Sequence, residues 1–260
     1  MTRALALLVG VFLGLPVALL VARAAFGGSL GVALLSGPVR DALLLSLGTT
    51  AISLALTILI STPLAHLLAR RRFRGAAVVE AIVDLPIVLP PSVAGLALLL
   101  MLGRRGVFGD QLAAIGVAIP FTTVAVVIAQ MFVSAPFFIR AARTGFLGVG
   151  RDHEDAARVD GASERQVAWS ITLPLAAPAL ASGIVMTWAR ALGEFGATIM
   201  FAGNIGGRTQ TLPLVVYGEF QAGDLEASIA AAAILVLAAF GVLLAVRGLR
   251  WGRALDLRAA

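Results

Sequence analysis

An all-α integral membrane protein with six transmembrane helices is the fold class this sequence predicts. Three observations predict it. Apolar residues fill 60% of the 260 positions and charged ones only 13%, where soluble domains run at about half and a quarter. The mean hydropathy is +0.99. Apolar runs recur near the length of about 20 residues that a helix needs to cross a bilayer, and most charges fall between the runs.

Residues 4–22 form the first run. It outlasts the roughly 7–15-residue core of a secretory signal and shows no clear cleavage site. A retained first helix is therefore expected, with an outer loop to residue 40. The second run covers 42–69, and the core continues from 41 to 248. Within the second run Ser46, Thr50, Ser53, Thr57 and Ser61 recur every three or four residues, so they share one helix face. Small hydroxyl residues mark close helix packing in membranes; lining a solute path is the alternative reading for Ser53 and Thr57. His66 reads as structural or interfacial.

A third span is expected over 87–102, after Pro86. Pro86, Pro90 and Pro91 fall within six residues and remove backbone donors, forcing a kink or break. Broken backbone at membrane depth needs cover from protein or a water-filled cavity. Two readings stand: a helix entry bent along the interface, or a break lining a pathway, as transporters use. The second makes Pro90 and Pro91 candidate pathway residues. The fourth span is expected over 117–139, the fifth over 175–197 and the sixth over 227–246, leaving 249–260 as a tail. Arg190 and Glu194, in the fifth, are four apart and can pair on one helix face. Intramembrane ionisable residues are functional by default; a structural pair near the outer interface is the plainer reading. Gly193 and Gly196 permit another helix to come close.

All 20 basic residues are arginine. Fourteen fall at one set of span ends: Arg3, the cluster Arg70, Arg71, Arg72 and Arg74, the group around residues 140–165, and Arg247, Arg250, Arg253 and Arg258. Five fall at the other, and the positive-inside rule then puts both termini and the loop near residue 154 in the cytoplasm. Without lysine no G-x-x-x-x-G-K-[ST] phosphate loop can form, so any ATP chemistry belongs to another chain. The absence of cysteine removes disulfides, thiolate metal sites and a cysteine nucleophile. No H-E-x-x-H or Ser/His/Asp constellation is present, so neither an enzyme nor a bound cofactor is expected. No basic stripe with interleaved aromatics suggests nucleic acid; the lipid bilayer is the partner that composition demands.

The longest polar stretch is the loop from Glu154 to Pro174. Asp152 can cap a first helix that ends at Gly161. Ser163 can cap a second, with Gln166 completing a capping box, and Pro174 is expected to break it. Asp155-Ala156-Ala157, then Gly161, then Ile171-Thr172-Leu173-Pro174 resembles the coupling loop of ABC-importer membrane subunits, with Asp155 standing where that family usually has Glu and Glu154 just before it. The resemblance implies that Glu154, Asp155, Ala156, Ala157, Gly161 and Pro174 form a coupling helix docked on an ATP-hydrolysing subunit.

Further motifs narrow it: Leu85-Pro86-Ile87-Val88-Leu89-Pro90-Pro91, Gly103-Arg104-Arg105-Gly106, Arg190-Ala191-Leu192-Gly193-Glu194-Phe195-Gly196-Ala197-Thr198 and Thr211-Leu212-Pro213. Over residues 40–248 they look like the molybdate permease family, with sulfate and tungstate permeases as relatives. That resemblance implies the type I ABC importer permease fold, a homodimer, two copies of a cytoplasmic ATP-binding subunit and an extracytoplasmic oxyanion-binding protein, working by alternating access in the cell inner membrane. A secondary anion transporter is the competing class; it would carry internal repeats and midplane carboxylates, and neither is found.

Overall fold

In lipid a main-chain amide has no water to bond, so each apolar run must close its hydrogen bonds within itself as a helix. The computed structural model describes the backbone of residues 2–71 and 73–259, and side chains as far as residue 244. Among the described residues there is no strand. The helices are α1 (Thr2–Phe26), α2 (Ser29–Leu35), α3 (Gly37–Arg70), α4 (Ala76–Val88), α5 (Pro91–Leu102), α6 (Gly109–Ala114), α7 (Thr123–Gly148), α8 (Arg151–Val159), α9 (Glu164–Val167), α10 (Leu173–Leu192), α11 (Gly196–Phe201), α12 (Leu212–Gln221) and α13 (Leu225–Ala259), with a π-helical turn over Ala168–Thr172. Five are long and apolar enough to cross a bilayer: α1, α3, α7, Glu164–Leu192 and Leu225–Leu244. The pair α4 and α5 passes together, bent by 118°, and is the sixth if counted as one span.

Three of the expected spans need correction. The third does not start after Pro86. Helix α4 begins at Ala76 and holds Pro86 inside it, and the break falls at Leu89 and Pro90. Both precede a proline, which pushes a residue out of the α region, and both are extended, at ψ 134° and 133°. Pro91 then opens α5, where a missing N–H costs nothing. The fourth begins at Thr123 rather than 117. Phe121, in the turn just ahead of it, has φ 61°, and the Thr122 side chain caps α7 by accepting the Ala125 N–H. It also runs on to Gly148, which makes Arg140 and Arg143 helical rather than part of a loop. The fifth reaches back to Glu164 and stops at Leu192. The tail expected at 249–260, with Arg247, Arg250, Arg253 and Arg258, lies outside the described side chains, though the α13 backbone continues to Ala259. Arg72 lies outside the described residues.

The chain divides into two compact units. One is Met1–Leu47 with Gly203–Ala260. Its core joins Ala33, Val39 and Ala42 to Leu212, Val215, Ala230 and Ile234. The Ser46 hydroxyl accepts the Leu212 N–H at 2.7 Å, and Arg23 pairs with Glu226. Helix α1 leaves Leu7, Leu8 and Phe12 exposed, which only lipid makes tolerable.

The other unit, Gly48–Ala202, is built on α7. Phe138, Ala142 and Phe146 pack against Ala65, Leu68 and Ala176, while Ala125, Ala129 and Val133 pack against Ala94, Leu98 and Phe201. Helices α7 and α10 lie close because Gly145 and Gly183 carry no Cβ. One built at either position would sit 2.8 Å from an alanine methyl on the other helix. This is the small-residue packing of membrane helices.

Candidate functional site

The charged stretch after α7 folds as two helices and a tight turn. Helix α8 starts at Arg151, with Gly150 as its N-cap, so Asp152 is not the cap. Asp152 and Glu154 instead occupy the first turn, where the helix dipole favours carboxylates. Its end is as expected: Gly161 has φ +88°, its N–H reaches the Arg158 carbonyl, and the Ala162 N–H reaches that of Ala157. That is a Schellman ending, which needs a left-handed residue at this point. Ser163 and Gln166 form the reciprocal capping box.

Pro174 does not break the second helix. The Leu173 N–H bonds to the Ala168 carbonyl, five residues back, and Pro174 follows at the start of α10. A π turn inside a helix is one way to re-aim it. The helix therefore passes from loop to span without interruption.

One buried residue anchors the loop. Glu154 is only 4% exposed. It pairs with Arg70, at the end of α3, at 2.6 Å, and accepts the Thr172 hydroxyl of the π turn at 2.7 Å. Arg70 also donates to the Val149 carbonyl, and Arg151 donates to that of Arg70. Asp155 and Glu164 are largely exposed, and both pair with Arg158 at 2.7 Å. Those two carboxylates, Glu164 foremost, hold the Arg158 guanidinium even further above neutrality than usual. Ala156, Gly161 and Pro174 are exposed, and Ala157 is half-buried. The large apolar side chains of Val159 and Trp169 are exposed beside them, at 87% and 66%.

The second cluster is where the broken helices meet. A Cβ on Gly196 would lie 2.7 Å from Pro91, and one on Gly95 would lie 2.5 Å from the Ala197 carbonyl. The α10–α11 junction is thus seated on the α4–α5 break, which brings Pro90 and Pro91 to the segment carrying Arg190 and Glu194. The close approach that Gly196 permits is within the chain; Gly193 instead ends α10. Arg190 and Glu194 pair at 2.6 Å, with Glu194 almost fully buried and Arg190 29% exposed. They do not share one helix face, because Glu194 lies beyond the end of α10. There its carboxylate accepts the Ala197 N–H of α11 at 2.8 Å, a capping role the four-residue spacing does not disclose.

Ser53 and Thr57 lie elsewhere, in a buried polar seam. Ser53 donates to the Thr50 carbonyl, and Gln130 on α7 donates to the Thr50 hydroxyl. Thr57 has no partner among the described residues. Reading from sequence missed a ladder between α4 and α7, in which Asp84 pairs with Arg140 at 2.7 Å and Glu80 with Arg143 at 2.8 Å. The signal was there: two acids four apart and two arginines three apart, once both stretches are taken as helical.

Apolar spans, one of them bent over paired prolines, and one braced polar loop define the class: a polytopic helical membrane protein. Residues 58–250 match the family described as "Binding-protein-dependent transport system inner membrane component". The chain belongs to that family, and it has the type I ABC importer permease fold. The Molybdenum transport system permease protein ModB of Mycobacterium tuberculosis is 44% identical over 207 residues, 80% of this chain and 78% of that one. ModB of Escherichia coli K12 is 38% identical over 206 residues, 79% of this chain and 90% of that one. The sulfate transport system permease protein CysT of Escherichia coli K12 is 34% identical over 192 residues, 73% and 69%. A chain of a bacterial ABC transporter involved in the import of alginate superposes with a TM-score of 0.78 at 19% identity, covering 96% of this chain and 93% of that one. One from the MetNI methionine ABC transporter gives 0.63 at 22% identity, covering 85% and 99%.

Proposed function

We propose that this chain is the permease subunit of an ATP-driven importer of a tetrahedral oxyanion, molybdate in particular. The observation that carries the reading is its 38–44% identity to molybdenum permeases over about four fifths of its length. Sulfate is the second reading, favoured by the 34% identity to a sulfate permease. Family membership in a binding-protein-dependent system argues against a secondary anion transporter.

In this proposal a second copy of the chain, two copies of a separate ATP-binding subunit and an external binding protein complete the machine. The arginine distribution puts both termini and the Glu154 loop in the cytoplasm. The loop docks on the ATPase through its exposed side, Asp155, Ala156, Val159, Gly161 and Trp169. Glu154 acts from behind by bracing α8 to α3, and the unbroken helix through Pro174 carries the loop's motion into α10. Exposed apolar side chains on a charged loop support a docking role. Pro90, Pro91, Arg190 and Glu194 form a constriction in the pathway, with Arg190 the cation an oxyanion meets. Ser53 and Thr57 serve the packing of α3 on α7.

The test is reconstitution in vesicles with the ATPase and the binding protein. ATP hydrolysis is expected to rise with molybdate-loaded binding protein more than with sulfate-loaded. Gly161→Leu puts a side chain where φ is +88°, at a cost of about 1–2 kcal/mol. It is expected to leave the chain inserted but to weaken ATPase co-purification or uncouple hydrolysis from transport. Wild-type coupling in that variant would remove the loop from the mechanism.

A further inference from the structure

Beside the coupling loop lies a cavity of about 280 Å³, walled by the end of α3, by α8 and by the π turn. Four arginines line it: Arg70, Arg71, Arg151 and Arg158, together with Glu154, Asp155 and Glu164. The carboxylates are already answered, Glu154 by Arg70 and the other two by Arg158. Among the described residues, Arg71 and Arg151 pair with no carboxylate. Arg70 is largely buried, and its enclosed Nε has no hydrogen-bond partner among the described residues.

We propose that this cavity binds a tetrahedral oxyanion, held by Arg71 and Arg151 beside the Arg70 cation. Guanidinium groups match such oxygens in geometry and charge. Two sources offer this chemistry: a free anion of the phosphate or molybdate kind, and a phosphate headgroup of a lipid. The bound anion links the last turn of α3 to the first turn of α8 and so restrains the loop. The inference rests on the proposed function only in giving that restraint an effect on coupling, and in letting the imported anion reach the site from the cytoplasm.

Binding is measured on the full chain. In detergent and phosphate-free buffer it is titrated calorimetrically with sodium molybdate and with inorganic phosphate. Retained lipid is read by native mass spectrometry from nanodiscs of phosphatidylcholine, with and without phosphatidic acid. The expected result is saturable binding that weakens at least tenfold in Arg71→Gln/Arg151→Gln and persists in Arg190→Gln, with circular dichroism showing all variants folded. Heat with the free ions assigns the site to a soluble anion. Retained phosphatidic acid without such heat assigns it to a headgroup. No binding in either arm, or binding that the double variant leaves unchanged, overturns the inference. Loss in Arg190→Gln alone would put the ion in the pathway, overturning this site while leaving the proposed function intact. Failure of the Gly161→Leu test would remove the coupling role without touching the binding result.

Discussion

Two adjacent carboxylates, Glu154 and Asp155, differ in what surrounds them, and that decides what each does. Glu154 is buried on Arg70 and Thr172, so removing it strands a charge in a nearly closed setting. Such a loss costs about 3–5 kcal/mol. Asp155 meets Arg158 in the open, where an ion pair is worth about 0–1 kcal/mol. Glu154→Ala is therefore expected to lower the melting temperature of the detergent-purified chain by several degrees, and Asp155→Ala to leave it within about a degree. Equal melting curves would show that the Arg70–Glu154 bond is no brace. The Arg190–Glu194 pair is asymmetric in the same sense. Because Glu194 also accepts the Ala197 N–H, an arginine in its place cannot cap α11. Both single alanine variants should impair transport, and the swap Arg190→Glu/Glu194→Arg should restore little of it. Recovery to near wild type would mean that charge pairing alone matters at this junction.

At the scale of elements, the chain uses backbone irregularities to place its helices. The extended residues Leu89 and Pro90 turn α4 into α5, and α11 rests on that turn through Gly196. A side chain at 196 would meet Pro91 and the Ser92 backbone, and overpacking of this kind costs about 1–3 kcal/mol. Gly196→Val is expected to lower stability by that order in thermal melts and to reduce transport. Gly193→Ala, with only a 3.6 Å contact to the Ala189 carbonyl, is expected to change little by either measure. Equal effects would mean that the α11–α5 contact does not hold the break in place. The ladder of Glu80 and Asp84 on α4 with Arg143 and Arg140 on α7 secures the same bent element farther along. Proline and glycine signals disclosed the break near Pro90 and the helix end at Gly161, but the third, fourth and fifth spans start well away from the expected positions and Pro174 ends no helix. What each end rests on was not legible, because a break says nothing about its partner.

For the whole molecule, orientation is the first thing to measure, and the lack of native cysteine makes labelling clean. Ser163→Cys, in the exposed turn between α8 and α9, is expected to resist an impermeant external reagent in intact cells and to react in inside-out vesicles. Labelling from outside would reverse the topology that the arginines predict.

The amino-acid sequence by itself determined the helical membrane class, the apolar runs, the left-handed helix end at Gly161 and the capping box at Ser163. All of these follow from composition or from residues within about six positions of each other. Only the tertiary structure decided that Arg70 reaches Glu154, that Arg140 and Arg143 reach α4, and that the Pro91 break carries Gly196. With 20 basic and 14 acidic residues in the chain, charge alone permits many pairings. The pairs that form are those whose helices packing brings side by side, and no local periodicity encodes which helix will be the neighbour.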